Sequence, residues 1–202
     1  MGEAARTRAE LPQAERKRRA ILDAVLRVVA EGGVDAVTHR RVAAEAEVPL
    51  GSTTYYFASR EDLLREAFRQ HAGAVYGSLD ALADELPLRS ADDLVGFLVE
   101  LVRRELAEPA GIVVEYELIV RAARDLELAR EVNAYERNLT ARLAESLERL
   151  GVAHALEAAR TLIALVRGFE LERLTRPSVE LADLRRRLRV VVGALTPSRR
   201  SA

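Results

Sequence analysis

Residues 38–57 read THRRVAAEAEVPLGSTTYYF, and they interrupt a chain that is otherwise rich in Ala, Leu and Arg. The first half of the stretch carries small and apolar residues at helical spacing, namely Val42, Ala43, Ala46 and Val48. Thr38 is suited to cap that short helix, and Pro49 fixes φ at the start of a second one that runs to about Tyr56. Two short helices joined by a tight turn are typical of a helix-turn-helix unit.

The second short helix carries residues that suit contact with DNA. Gly51 has no side chain and would let a base edge or a phosphate approach closely. Ser52 and the two threonines after it offer short hydroxyls for groove contacts, and residues 55–57 supply bulk for both core and backbone contacts. Three arginines flank the unit and would reach phosphates or guanine edges: Arg40, Arg41 and Arg60. The alternative, from the residues alone, is an ordinary helical hairpin in which TTYY is part core and part surface.

The rest of the pattern predicts an all-α fold of nine helices. A first helix over residues 14–31 ends at Gly32-Gly33, and after the helix-turn-helix Ser59 caps a long helix that ends before Pro87. Apolar residues at helical spacing then predict five further helices: from residue 90 to before 109, around 111–124, on to Gly151, over 153–175, and after Pro177. We find no strand pattern and no internal repeat.

Composition excludes several classes of protein. The chain has 202 residues, a net charge of −1 and no cysteine, which excludes disulfides and thiolate zinc sites. Its histidines, His39, His71 and His154, are isolated in the sequence, and no HExxH, P-loop or GxGxxG motif is present. We therefore predict no enzyme activity, no metal and no cofactor. No apolar run is long enough to span a membrane, and no signal peptide is visible, so we expect a cytoplasmic protein without membrane contact.

The residues around the turn follow a specific pattern, carried by Gly32-Gly33-Val34-Asp35-Ala36-Val37-Thr38, Val42-Ala43, Ala46, Val48, Gly51, Tyr55-Tyr56-Phe57 and Ser59-Arg60-Glu61-Asp62-Leu63-Leu64. This pattern resembles the tetracycline-repressor (TetR) family of bacterial transcriptional regulators over about residues 14–68. Beyond that range the likeness is one of layout, a six-helix C-terminal region. Two positions depart from the family pattern: Glu47 stands where Gly is frequent in the turn, and Thr53-Thr54 stand where many relatives have Leu or Tyr.

The resemblance implies a set of DNA-contacting residues on the two short helices and at the start of the next: Thr38, Arg40, Arg41, Leu50, Gly51, Ser52, Thr54, Tyr55, Tyr56 and Arg60. Thr38 would cap its helix and touch a phosphate, and Tyr56 would bond the DNA backbone. Tyr55 is either core or groove edge. Arg60 stands where the family usually has Lys and would face a phosphate, with a different hydrogen-bond geometry.

The resemblance also implies the domain organisation and the function. We expect a flexible N-terminal arm at 1–13, a helix-turn-helix DNA-binding domain at 14–58, a ligand-binding and dimerisation domain at 59–196, and a tail at 197–202. The implied function is a ligand-responsive transcriptional regulator, by family default a repressor. It would bind a palindromic double-stranded DNA operator as a homodimer and be released by a small, largely apolar effector. The alternative is a helical adaptor without a DNA role.

Two sets of residues are assigned to the C-terminal domain. The last two helices would form the dimer interface through small and apolar residues: Ala155, Ala159, Leu162, Val166, Leu184, Leu188, Val191 and Leu195. The middle helices would enclose the effector pocket, lined by Phe68, His71, Phe97, Leu101, Tyr116, Val120, Tyr135, Leu139 and Phe169. The alternative for both sets is that these side chains belong to the core.

An effector in the pocket would tilt the long helix after Ser59. In the homodimer this tilt would change the spacing of the two DNA-reading helices.

Overall fold

The computed structural model describes residues 12–195, and this part of the chain is helical with no strand. Its elements are α1 (Gln13–Gly32), a 3₁₀ turn (Val34–Ala36), α2 (His39–Glu45), α3 (Leu50–Tyr56), α4 (Arg60–Glu85), α5 (Ala91–Glu105), α6 (Ala110–Ala122), α7 (Leu126–Arg149), α8 (Ala155–Thr175) and α9 (Leu181–Leu195). The predicted all-α fold of nine helices is confirmed for the described range. The predicted tail at 197–202, and the predicted arm apart from its last two residues, lie outside that range.

The chain divides into two compact units. Among the described residues, the first contains 12–73 together with 113–132, and the second contains 74–112 together with 133–195. The divisions fall inside α4, α6 and α7, so these helices contribute to both units. The functional boundary at residues 58–59 stays a prediction.

The first unit is built on the apolar stripe of α1. Five of its large side chains are almost completely buried: Ile21, Leu22, Val25, Val28 and Val29. Val42 and Ala43 of α2 are buried as well, as are Leu63, Leu64 and Phe68 of α4. Each large apolar side chain that leaves water contributes roughly 1.5–3 kcal/mol. This burial, rather than the helix propensity of two seven-residue segments, holds α2 and α3 in place.

The predicted helix caps are present at the starts of α2 and α4. The Arg41 N–H donates to Thr38 Oγ1 at 3.1 Å, which caps α2. The Asp62 N–H donates to Ser59 Oγ at 3.1 Å, and the Asp62 carboxylate accepts from the Ala58 N–H at 3.1 Å, which caps α4. Caps of this kind contribute about 1 kcal/mol each. They fix where the chain leaves one helix and enters the next.

The turn between α2 and α3 is a Schellman motif. The Val48 N–H donates to the Ala43 carbonyl at 3.0 Å, and the Glu47 N–H donates to the Ala44 carbonyl at 3.2 Å. Glu47 lies in the left-handed region at φ 54°, which glycine adopts without strain and other residues adopt at a cost. Glu47 therefore adopts the conformation that a glycine would adopt in this turn. Because Glu47 has a side chain, it does so at a cost in backbone strain.

The second unit has its own core, formed mainly by α5, α8 and α9. Its fully buried side chains come from each of these helices, from the end of α4 and from α7: Leu82, Leu94, Val102, Leu147, Ala159, Leu162, Phe169, Leu184 and Leu188. The cation of Arg187 lies 5.9 Å from the Phe169 ring centroid, and Arg187 also pairs with Glu172 at 2.6 Å. These contacts tie α9 to α8 at the edge of the apolar core.

Replacing Glu47 by glycine should stabilise the protein by about 1 kcal/mol, because it removes the cost of a left-handed non-glycine residue. A gain of that size corresponds to about 2–4 °C in Tm for a chain of this length, measurable by thermal unfolding followed by circular dichroism. The matched control is Ala46→Gly. Ala46 has the right-handed conformation, so glycine there should lower the stability. A fall in Tm for Glu47→Gly would contradict the assignment of strain to this turn.

Candidate nucleic-acid interface

Helix α3 presents one side to solvent and buries the other. Leu50 is 46% exposed and Tyr55 is 83% exposed, and Gly51 and Thr54 are exposed between them. Ser52 and Tyr56 are half-buried, whereas Thr53 and the C-cap residue Phe57 are buried. All the α3 residues predicted to contact DNA therefore have accessible surface. Of the two alternatives for Tyr55, the structure supports an exposed residue rather than a core residue.

Thr53 is the polar anchor of α3. It is fully buried, its hydroxyl donates to the Leu50 carbonyl at 2.8 Å, and its oxygen lies 3.2 Å from His39 Nδ1. Because the single hydroxyl proton is used on Leu50, His39 Nδ1 is the donor in the second bond. This pair joins the first residue of α2 to the middle of α3. Sequence reasoning missed this pair, since it treated His39 as isolated and, although the resemblance placed Thr54 rather than Thr53 on the DNA, it gave Thr53 no partner.

Phe57 provides the apolar anchor at the end of α3. It is 1% exposed, and the guanidinium of Arg18 lies 5.5 Å from its ring centroid. Arg18 also pairs with Glu66 of α4. One member of the basic tract at residues 16–19 is therefore used inside the unit, as a cation–π and ion-pair contact. In the same tract Arg19 is exposed.

Arg60 holds the loop that precedes α2. Its Nε donates to the Val37 carbonyl at 2.9 Å, its Nη2 donates to the Val34 carbonyl at 2.6 Å, and Nη2 lies 3.2 Å from Asp35 Oδ1. The side chain is only 26% exposed. Arg60 thus has a positioning role in the free protein that the sequence did not indicate.

The other predicted phosphate and base contacts lie at the start of α2. Thr38, Arg40 and Arg41 are all exposed. Arg41 pairs with Glu31 at 3.0 Å. Arg40 has no carboxylate partner among the described residues, so its charge is available to a ligand.

The predicted pocket residues divide between the two units. In the first unit Phe68 is buried, Tyr116 is half-buried, and Val120 is 72% exposed; His71 Nε2 lies 3.3 Å from Glu115 Oε2. In the second unit the three aromatic members are buried and the two leucines are half-buried: Phe97, Tyr135, Phe169, Leu101 and Leu139. Their role in holding an effector stays a prediction.

Six of the eight predicted interface residues are already covered by their own chain. The buried members are Ala155, Ala159, Leu162, Val166, Leu184 and Leu188. Val191 and Leu195 are half-buried. The outward surface of the same two helices carries other apolar side chains: Leu156 and Leu171 on α8 are each 47% exposed, and Val190 on α9 is 74% exposed.

The described residues show no group of three or more His, Cys, Asp or Glu side chains that could hold a metal ion. Among the helices of residues 12–195, none is both long and apolar enough to cross a membrane.

A short helix with an exposed polar side, anchored behind a capped helix and a tight turn, defines a helix-turn-helix DNA-binding protein. The comparisons with known proteins agree. Residues 21–67 match the family described as bacterial regulatory proteins, tetR family, and residues 89–198 match the tetracyclin repressor-like C-terminal domain. The chain belongs to the tetR family of bacterial transcriptional regulators.

Individual relatives show how far the likeness extends. The structure of a TetR-family member (SCO1917) from Streptomyces coelicolor A3 is 32% identical, covers 92% of this chain and 99% of its own, and has a TM-score of 0.70. Multidrug binding protein EbrR, complexed with ethidium, is 31% identical with coverage of 87% and 97% and a TM-score of 0.70. The repressor KstR of Mycolicibacterium smegmatis is 36% identical over 94 residues. That match spans 46% of this chain and 46% of KstR, so it extends over less than half of that relative.

Gly51→Ala should raise the stability of the protein and weaken its binding to DNA. A Cβ at Gly51 would meet nothing within 4 Å, so no contact within the described chain requires glycine there. Alanine in a helix is favoured over glycine by roughly 0.5–1 kcal/mol, which should appear as a higher Tm. The added methyl would stand on the exposed side of α3 and keep DNA away, which fluorescence anisotropy with labelled duplex would detect. A variant that is more stable and binds DNA as tightly as the parent would contradict the assignment of this side of α3 to the DNA.

Proposed function

We propose that the protein is a repressor that binds a palindromic operator as a homodimer and is released by a small, largely apolar effector. The observation that carries the DNA-binding part is the division of α3 into a buried side, Thr53 and Phe57, and an exposed side that includes Gly51, Thr54 and Tyr55. Repression is supported by the relationship to KstR, which is a transcriptional repressor. Because operators lie on the chromosome, we also propose a cytoplasmic location.

The proposed DNA surface combines reading and positioning contacts. The exposed residues of α3 would enter the major groove, where short hydroxyls and apolar groups can contact base edges. Thr38, Arg40 and Arg41 at the start of α2 would contact phosphates and fix the register. Arg60 would act mainly through the protein, because its guanidinium already binds two carbonyl groups of the loop before α2.

A homodimer is proposed because one recognition helix makes too few contacts to read an operator. Paired half-sites must be about 34–36 Å apart, so a rigid interface has to set the spacing. Since the predicted interface residues are largely buried in their own chain, we place the contact on the outward surface of α8 and α9. Leu156, Leu171 and Val190 supply exposed apolar area there.

Effector binding is supported by EbrR, whose structures hold ethidium, proflavin and imidazole. A route from the C-terminal helices to the DNA-reading helices is present within the first unit. The Val34 N–H donates to Glu117 Oε2 of α6 at 3.3 Å, and the Val34 carbonyl accepts from Arg60 of α4 at 2.6 Å. One residue in the loop before α2 is therefore bonded to two helices, through its N–H to α6 and through its carbonyl to α4. An effector that shifted α4 or α6 would move this loop and, with it, α2 and α3.

Substitutions on the proposed DNA surface should separate affinity from specificity. Tyr56→Phe removes one hydroxyl aimed at the DNA backbone and should weaken binding to all sequences by about the same factor. Ser52→Ala and Thr54→Ala should change which sequences are preferred. The measurement is selection from random duplexes followed by anisotropy titrations at two salt concentrations, where binding should fall steeply with salt.

The matched control for Tyr56→Phe is Tyr76→Phe in the second unit, where the Tyr76 hydroxyl donates to the Tyr135 carbonyl at 3.3 Å. This control should leave DNA affinity unchanged. Absence of salt-sensitive binding to any duplex would reject the regulator and favour a helical adaptor. Binding that none of the α3 variants alters would show that another surface contacts the DNA.

The double variant Leu171→Glu, Val190→Glu should convert the dimer to a monomer without unfolding it. Both side chains are exposed in the single chain, so the charges disturb the proposed interface and not the core. Light scattering coupled to size exclusion would give the mass, and circular dichroism would confirm the fold. The control is Leu126→Glu, which alters a 70% exposed leucine in the first unit and should leave the dimer intact. A parent protein that is monomeric at high concentration would contradict the proposal.

A further inference from the structure

A groove of about 710 Å³ lies between α5 and α9, beside the end of α4. All of its lining residues belong to the second unit, and none belongs to the predicted effector pocket or dimer interface. Its apolar lining consists of Leu86, Gly96, Val99, Leu181 and Ala182, and its polar lining consists of five arginines and two glutamates. The groove therefore combines an apolar surface with an excess of positive charge.

The two glutamates of the groove are already engaged by arginines of α5. Glu100 accepts from Arg103 at 2.7 Å and from Arg104 at 2.9 Å, and Glu85 pairs with Arg104. The hydrogen bonds from Arg103 and then Arg104 lower the pKa of Glu100 to about 2, so it stays charged and paired at neutral pH. These carboxylates are consequently not available to neutralise the arginines of α9.

Two arginines of α9 have no carboxylate partner among residues 12–195. Arg185 and Arg189 are exposed and lie one helical turn apart, whereas Arg186 between them pairs with Asp183. Like charges one turn apart repel each other on a helix, so their pairing with an anion would relieve that repulsion. A guanidinium presents a planar set of donors that matches a carboxylate or phosphate in two-point contact.

We propose that this groove binds an amphipathic organic anion, with its charged head on Arg185 and Arg189 and its apolar body along Val99 and Leu181. The volume lies within the range of about 300–1,000 Å³ that is typical of small-molecule sites. An acidic protein segment would use the arginines but not the apolar lining, so the small amphipathic ligand accounts for both. The proposal concerns a second site and does not depend on the proposed repressor function.

The test is calorimetric titration of the full chain with dodecanoate, below its micelle concentration. The parent should bind saturably, and Arg185→Gln, Arg189→Gln should weaken binding by about tenfold or more. The matched control is Arg124→Gln, Arg137→Gln, which removes the same charge from exposed arginines outside the groove and should change affinity little. Dodecanol, which lacks the charge, should bind more weakly than dodecanoate.

Gly96→Leu tests the apolar half of the site without changing its charge. A Cβ at Gly96 meets nothing within 4 Å, so leucine should fill the groove, keep the fold and abolish dodecanoate binding. The proposal is overturned if the parent fails to bind, as it would if a partner subunit filled the groove. It is equally overturned if both groove variants bind like the parent, which would place the ligand elsewhere, or if the control pair loses as much affinity as the groove pair.

Discussion

A helix of seven residues is not stable by itself in water, so the position of α3 depends on what anchors its inner side. Two residues do this. Thr53 bonds back to its own helix and to His39 of α2, and Phe57 is buried beneath Arg18. The anchoring leaves the opposite side of α3 exposed, with an 83% exposed tyrosine and an uncrowded glycine. The proposed DNA surface depends on that division of α3 between an anchored and an exposed side.

Many charged side chains in this molecule bind other parts of the same chain rather than facing solvent unpaired. The chain holds 31 Lys and Arg against 32 Asp and Glu, and its net charge of −1 gives no indication of a DNA-binding surface. Many arginines are used within the chain: Arg18 pairs with Glu66, and Arg60 binds the carbonyls of Val34 and Val37. What remains for a ligand is set by which cations lack a carboxylate neighbour, such as Arg40 near the turn. The cations that can bind a ligand are therefore determined by ion pairing within the fold rather than by the overall composition.

The apolar pattern of α8 and α9 shows why a predicted contact surface is hard to separate from a core. The apolar pattern of the two helices assigns Leu162, Leu184 and Leu188 to a dimer, yet each is fully buried within one chain. Burial inside a subunit and burial between subunits select the same residue types, because both remove apolar area from water. Of the outward residues, Leu171 lies between two glutamates and Val190 is the first of three consecutive valines, so sequence periodicity does not single out either one.

The sequence alone determined the all-α fold, the helix caps at Thr38 and Ser59 and the turn before α3, because caps, breakers and helical periodicity act over a few residues. It also indicated the family through a pattern confined to the turn and its flanks. Only the tertiary structure decided that Thr53 bonds to His39 of α2, and that Arg60 binds the loop at Val34. These outcomes depend on which neighbour lies within hydrogen-bond distance, and such neighbours come from segments far apart in the chain.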